Sequence, residues 1–215
     1  MAKKTLQDHA EDALYREVGE ELAAQKIRDF LKRHAKMLII SAVLAVAATA
    51  SIVIARQMRM SSMMEAAAQY ESAMDMAPQL SREALSRLAR STRGGMADQA
   101  MFRAYQLAMG SNDRADALSK LEYLAEKGAT RDFRDLAVVQ IALIKGDSLS
   151  ADALQKMMSP VLSKRSPFYF TGLLITAEKY LSEGKKAEAK LLLKKITSDK
   201  DAPISVLGTA EMLSK

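Results

Sequence analysis

Glu183-Gly-Lys-Lys-Ala-Glu-Ala-Lys-Leu-Leu-Leu-Lys-Lys-Ile196 decides the fold. A polar turn on Gly184 leads into a helix whose apolar residues Ala189, Leu192, Leu193 and Ile196 recur at spacings of three and four. The same arrangement stands twice upstream. Gly110 precedes Ala117-Leu118 with Leu121 and Leu124, and Gly146 precedes Ala153-Leu154 with Met157. Small residues early in the second helix let it approach the first closely, and the glycine is expected to supply the positive φ that ends the first helix. The three glycines are 36 and 38 residues apart. Such a period describes a helical hairpin that cannot bury its apolar face alone, so at least three must stack.

The rest of the chain beyond Ala55 agrees. It has little β-branched alternation and no Asn-Gly or Asp-Gly hairpin, and it is rich in Ala, Leu, Met, Lys and Glu at helical spacing. An all-α fold is expected, with breaks at Ala77-Pro78, Gly94-Gly95, Gly128-Ala-Thr130, Ser159-Pro160 and Asp199 to Pro203. Helices of 10 to 18 residues should fill the intervals. The period places the array in the tetratricopeptide-type class, in degenerate form.

Ahead of the array, residues 37–55 carry no charge, and they follow Lys26, Arg28, Lys32, Arg33 and Lys36. Nineteen residues of helix span roughly 28 Å, close to the ~30 Å hydrocarbon core, so one N-terminal transmembrane helix is expected. Five basic residues precede it within about 20 positions, and only Arg56 and Arg59 follow closely. Lys and Arg resist translocation. The expectation is therefore a cytoplasmic tail over 1–36, a single span over 37–55, and a periplasmic repeat domain over 56–215 of an inner-membrane protein. Ala48-Thr49-Ala50 has the small-x-small pattern of a cleavable signal peptide. Against cleavage stand seven acidic residues before the span and an apolar run continuing through Ile52-Val53-Ile54. Within the tail, Leu14, Val18 and Leu22 recur every four positions, an amphipathic helix with a narrow apolar stripe.

Composition excludes much chemistry. There is no cysteine, and His9 and His34 both precede the span. The repeat domain thus lacks thiol nucleophiles, thiolate and imidazole metal ligands, and Ser-His-Asp catalysis. Gly184-Lys185 lacks the earlier glycine of a phosphate loop and reads as a repeat turn. Asp113, Asp116, Glu122 and Glu126 lie among Arg114, Lys120 and Lys127 at salt-bridge spacing, a solvated face rather than an acid/base pair. Arg131-Asp-Phe-Arg-Asp135 reads as a charged helix start. The 32 basic and 26 acidic residues form no run with stacking aromatics, so nucleic acid is not a partner. No enzyme activity, cofactor, metal or small-molecule substrate is expected.

Protein binding remains. Met58, Met60, Met63, Met64, Met74, Met76, Met96, Met101 and Met109 crowd the first half of the domain, as core filler or as an adaptable apolar surface; helical spacing argues against a copper site. By repeat position Tyr105, Tyr169 and Tyr180 are the side chains expected to offer a bound peptide apolar area and a hydroxyl, and Phe168-Tyr-Phe170 should open a helix.

Leu14-Tyr-Arg-Glu-Val-Gly-Glu-Glu21, the basic linker, the span and the degenerate array together resemble the YfgM-like family, the membrane-anchored ancillary subunit of the SecYEG translocon. Arg134-Asp-Leu-Ala137, Ser166-Pro167, Glu183 to Ala189 and Asp201-Ala-Pro203 add to the resemblance. It implies a protein-binding role at the Sec translocon, with translocon subunits, periplasmic chaperones and newly exported polypeptides as partners. The chain has no Trp and no regular Pro ending each unit, so ligand rules of strict repeats do not carry over. The alternative is a structural scaffold for cell-envelope or division complexes without chaperone activity.

Overall fold

The computed structural model describes residues 44 and 47–214, which fall into two compact units, one ending at Ser61 and one beginning at Ser62. In the first unit residues 47–61 are helical, with Ile52, Val53, Ile54 and Met58 exposed. The expected tail helix and residues 37–43, 45 and 46 of the expected span lie outside the described residues. No helix among the described residues is long and apolar enough to cross a membrane.

The second unit begins with helix α1 over residues 62–74. There follow α2 (Pro78–Ser91), α3 (Gly95–Gly110), α4 (Arg114–Lys127), α5 (Arg131–Lys145), α6 (Ala151–Met157), α7 (Tyr169–Ser182), α8 (Lys186–Thr197) and α9 (Ile204–Leu213). Among the described residues every regular element is a helix. Neighbours in sequence pack as neighbours in space from α2 through α5 and again from α7 through α9, with α6 a lighter bridge between them. The three expected hairpins are α3/α4, α5/α6 and α7/α8.

Local chemistry accounts for the boundaries. Pro78 opens α2, where its missing N–H costs nothing. The Asp113 side chain caps α4 by accepting from Asp116 N at 3.1 Å, and Ser150 Oγ caps α6 by accepting from Ala153 N at 3.3 Å. The turn glycines behave less uniformly than their spacing suggests. Gly184 has φ 76° as expected, whereas Gly110 is still helical and Asn112 takes the left-handed position at φ 59°. Asn tolerates that region because its short amide bonds locally. Gly146 has φ −54° and starts a 3-10 turn, Gly146–Ser148, so the second turn has no left-handed residue. One helix is also shorter than the expected range: α6 has seven residues. The chain leaves it as a bent segment whose Met158 and Val161 are fully buried.

Burial follows the stacking. One core joins α1 to α5 and holds Leu85, Met101, Leu121 and Leu124. A second joins α7, α8 and α9 around Leu173, Tyr180, Leu193 and Ile196, and a small third core packs Val139 and Ala142 of α5 on Leu154, Met158 and Val161. On α3, Ala100, Ala104 and Ala108 are fully buried at i, i+4, i+8. A stripe of methyl groups lets the flanking helices close on α3 without large side chains between them.

Candidate protein-interaction surfaces

The methionines divide by position. Met101 is buried, Met96 and Met109 are half-buried against the first core, and Met63, Met64, Met74 and Met76 stand exposed on and just after α1. Beside them α1 and α2 enclose an open depression of about 520 Å³ with Ala68, Ala73, Met76, Ala84 and Leu88 on its walls, and Glu65 and Arg87 among its polar residues. Its apolar lining is of Ala, Leu and Met, and the flexible Met76 thioether adapts to varied side chains.

Of the three tyrosines, two are internal. Tyr105 on α3 is 7 % exposed, its ring lies 5.3 Å from Phe102, and its hydroxyl donates to Gln140 Oε1 of α5 at 2.9 Å. Burial raises the phenol's pKa above its usual value. Tyr180 on α7 is 4 % exposed and its hydroxyl reaches Asp152 Oδ1 at 2.9 Å and Gln155 Oε1, both on α6. Tyr169 is half-buried at the start of α7, edge-on to Phe170 at 5.1 Å. Tyr105 and Tyr180 thus join hairpin to hairpin, and Tyr169 alone of the three shows appreciable surface. The sequence gives their apolar character but not the acceptors 25 to 35 residues away that claim the hydroxyls.

Around Tyr180 lies a charged junction. Lys185 Nζ sits 2.7 Å from Asp152 Oδ2 and 3.2 Å from Glu183 Oε2, and 5.6 Å from the centre of the Tyr180 ring. Glu183 Oε1 accepts from Ala151 N at 2.6 Å, satisfying an otherwise free amide at the start of α6. The Lys185 ammonium, then the Tyr180 hydroxyl, hold the Asp152 carboxyl below its usual range, while Asp152 and then Glu183 raise Lys185. Burial first, then Asp152, raises the Tyr180 phenol. At neutral pH the carboxylates and ammonium are therefore charged and the phenol is neutral, which makes the junction a fixed strut.

Two further features escaped sequence reasoning. Asp98 on α3 is 2 % exposed and accepts from Ala129 N, Thr130 N and Thr130 Oγ1, each at 2.8 Å. It fixes the turn that leads into α5 from another hairpin, and a lone Asp in an apolar helix is the only sequence trace. Arg82 on α2 bonds Asp113 Oδ2 at 3.1 Å and approaches Asp116 Oδ2 at 3.3 Å, tying α2 to α4. Lys120 completes that cluster on Asp116 at the i, i+4 spacing read from the sequence, whereas Asp113 and Glu122 take partners from other helices, Arg82 of α2 and Lys145 of α5, the latter at 2.7 Å. Among the described residues no group of three or more His, Cys, Asp or Glu is placed to hold a metal.

Residues 28–190 match the family model described as a tetratricopeptide repeat-like domain. No curated protein and no solved structure matches the chain. Domains of this kind are typically non-catalytic, and they work by binding other proteins. The match spans well over half of the 215 residues, and the chain belongs to the tetratricopeptide repeat-like domain family.

Proposed function

We propose that this chain is a single-pass inner-membrane protein whose residues 1–36 lie in the cytoplasm, whose residues 37–55 span the membrane, and whose repeat domain binds proteins in the periplasm. It acts at the Sec translocon, where it receives newly exported polypeptides and passes them toward periplasmic chaperones. The carrying observation is the extent of the family match, which starts at residue 28, ahead of the uncharged stretch, and runs into α8. Basic collar, uncharged stretch and hairpins therefore belong to one family unit. The Met- and Ala-lined depression between α1 and α2 supports an apolar client surface close to the anchor in sequence. Tethering there replaces intrinsic affinity by effective concentration.

Two measurements test this. The chain has no cysteine, so Ser205→Cys supplies a single label site. A membrane-impermeant maleimide should label it in spheroplasts, with the inner membrane closed; labelling only after that membrane is opened would reverse the orientation. Extraction in mild detergent followed by native electrophoresis and mass spectrometry should show comigration with translocon subunits, lost when residues 1–55 are replaced by an unrelated anchor. Comigration with envelope-assembly proteins alone would make the protein a scaffold instead.

A further inference from the structure

The face of α2 turned toward α4 carries more positive charge than its neighbours neutralise. Two depressions, of about 410 and 340 Å³, lie along it and meet at Arg90, which borders both. Several of the ions lining them are already matched. Arg82 and Lys120 are held by Asp113 and Asp116, Lys127 is paired with Glu126 at 2.8 Å, and Asp98 is covered by the amides of Ala129 and Thr130 in the turn before α5. Arg87 and Arg90 of α2 and Arg93 in the turn after it remain. All three are exposed, and no ion pair engages them among the described residues. Their local carboxylate is Glu83, one charge against three. Arg90 is further held in place over the Tyr123 ring of α4, 5.4 Å from its centre. Arg82 Nε, also bordering the first depression, has no hydrogen-bond partner.

We propose that this α2–α4 groove binds an extended acidic segment of a partner protein, with Arg87, Arg90 and Arg93 taking its carboxylates. The inference rests on the protein-binding reading above and specifies one class of segment for it. Guanidinium groups bind carboxylates bidentately and keep their charge at any physiological pH. Arg87 and Arg90 stand three residues apart on α2, roughly 4.5 Å along its axis, and Arg93 follows in the turn after the helix. Their long side chains spread to meet acids at alternate positions of an extended segment, roughly 6.6 Å apart. Between them the second depression, walled also by Thr92, Gly94 and Tyr123, leaves room for an intervening side chain. This is why the partner is a peptide and not an anionic lipid surface, which would read the charge and leave the indentations unfilled.

The test uses the full chain in detergent and a fluorescein-labelled dodecapeptide alternating Glu with Ala and Leu, with a Gln-for-Glu peptide as control. Anisotropy should show the Glu peptide binding at least tenfold more tightly than the Gln peptide, and Arg87→Gln, Arg90→Gln and Arg93→Gln together should abolish that preference. These side chains are exposed, so circular dichroism of the triple variant should match the parent. Equal binding of the Glu peptide by parent and triple variant overturns the proposal, as does arginine-dependent binding confined to phosphatidylglycerol vesicles. Native electrophoresis separates the two levels of failure. If the triple variant keeps every partner of the parent, the acidic-segment assignment falls while protein binding stands; if the parent itself migrates alone, the protein-binding reading falls.

Discussion

The carboxylate of Asp98 on α3 fixes the turn that leads into α5, 31 and 32 residues further along the chain. Both oxygens are used, and the three donors are the backbone amides of Ala129 and Thr130 and the Thr130 hydroxyl. A buried carboxyl beside a helix N-terminus satisfies the amides of the entering turn and faces the positive end of the helix dipole. Removing it leaves those donors without their partner beside α5. Asp98→Ala is expected to lower unfolding free energy by about 2–4 kcal/mol, and Asp98→Asn by less, since one amide oxygen still accepts. Chemical denaturation of the three proteins measures this. Gly128 is constrained in another way. A Cβ there would lie 2.5 Å from the Leu124 carbonyl oxygen and 3.0 Å from Arg134 Cγ, and the oxygen is backbone already bonded to Gly128 N. Gly128→Ala is expected to cost about 1–3 kcal/mol, whereas Gly95→Ala, with open space around it, should be tolerated.

At the scale of elements, the strut between α6 and α8 has a defined pH window. Asp152 has a lowered folded-state pKa, so its contribution is present above the usual carboxylate value of about 3.9 and is lost as pH falls through the lower folded value. Lys185 is raised, so its contribution is present below about 10.4 and is lost as pH rises through the higher folded value. The strut is therefore intact across neutral pH. Lys185→Met should melt below the parent at pH 7, and the difference should close in acid once the pH has fallen through the lowered pKa of Asp152. A gap that persists there would assign the effect to packing on Tyr180. The same elements show what the sequence conveys. Helix type, the hairpin period and most breaks follow from 3.6-residue periodicity and from Gly and Pro, all local signals. The swap of left-handed residue from Gly110 to Asn112, the short α6 and the internal roles of Tyr105 and Tyr180 depend on which hairpin faces which. The basic face of α2 was hidden because its arginines are ordinary in sequence; their excess becomes visible once Asp113 and Asp116 are seen to be taken by Arg82 and Lys120.

Across the whole repeat domain, stacking makes stability close to one-dimensional, because each hairpin is supported chiefly by its neighbours. The core of α1 to α5 and the core of α7 to α9 share no buried residue; α6 and the bent segment after it join them through the small cluster on Met158 and Val161. A perturbation at one end should therefore fade before reaching the other. Helix α9 buries Ala210 fully and Val206 and Leu213 partly against the second core. Deleting residues 204–215 removes that cover, a loss on the order of 3 kcal/mol from apolar area alone. Amide hydrogen exchange on the full chain and the deletion should show opening of α7 and α8 made easier by about a hundredfold, with α2 to α5 unchanged, because a repeat array opens from its ends. A uniform loss of protection from α2 to α8 would mean instead that the bent segment couples the two cores into one cooperative unit, and that a partner seated on α2 also stabilises α8.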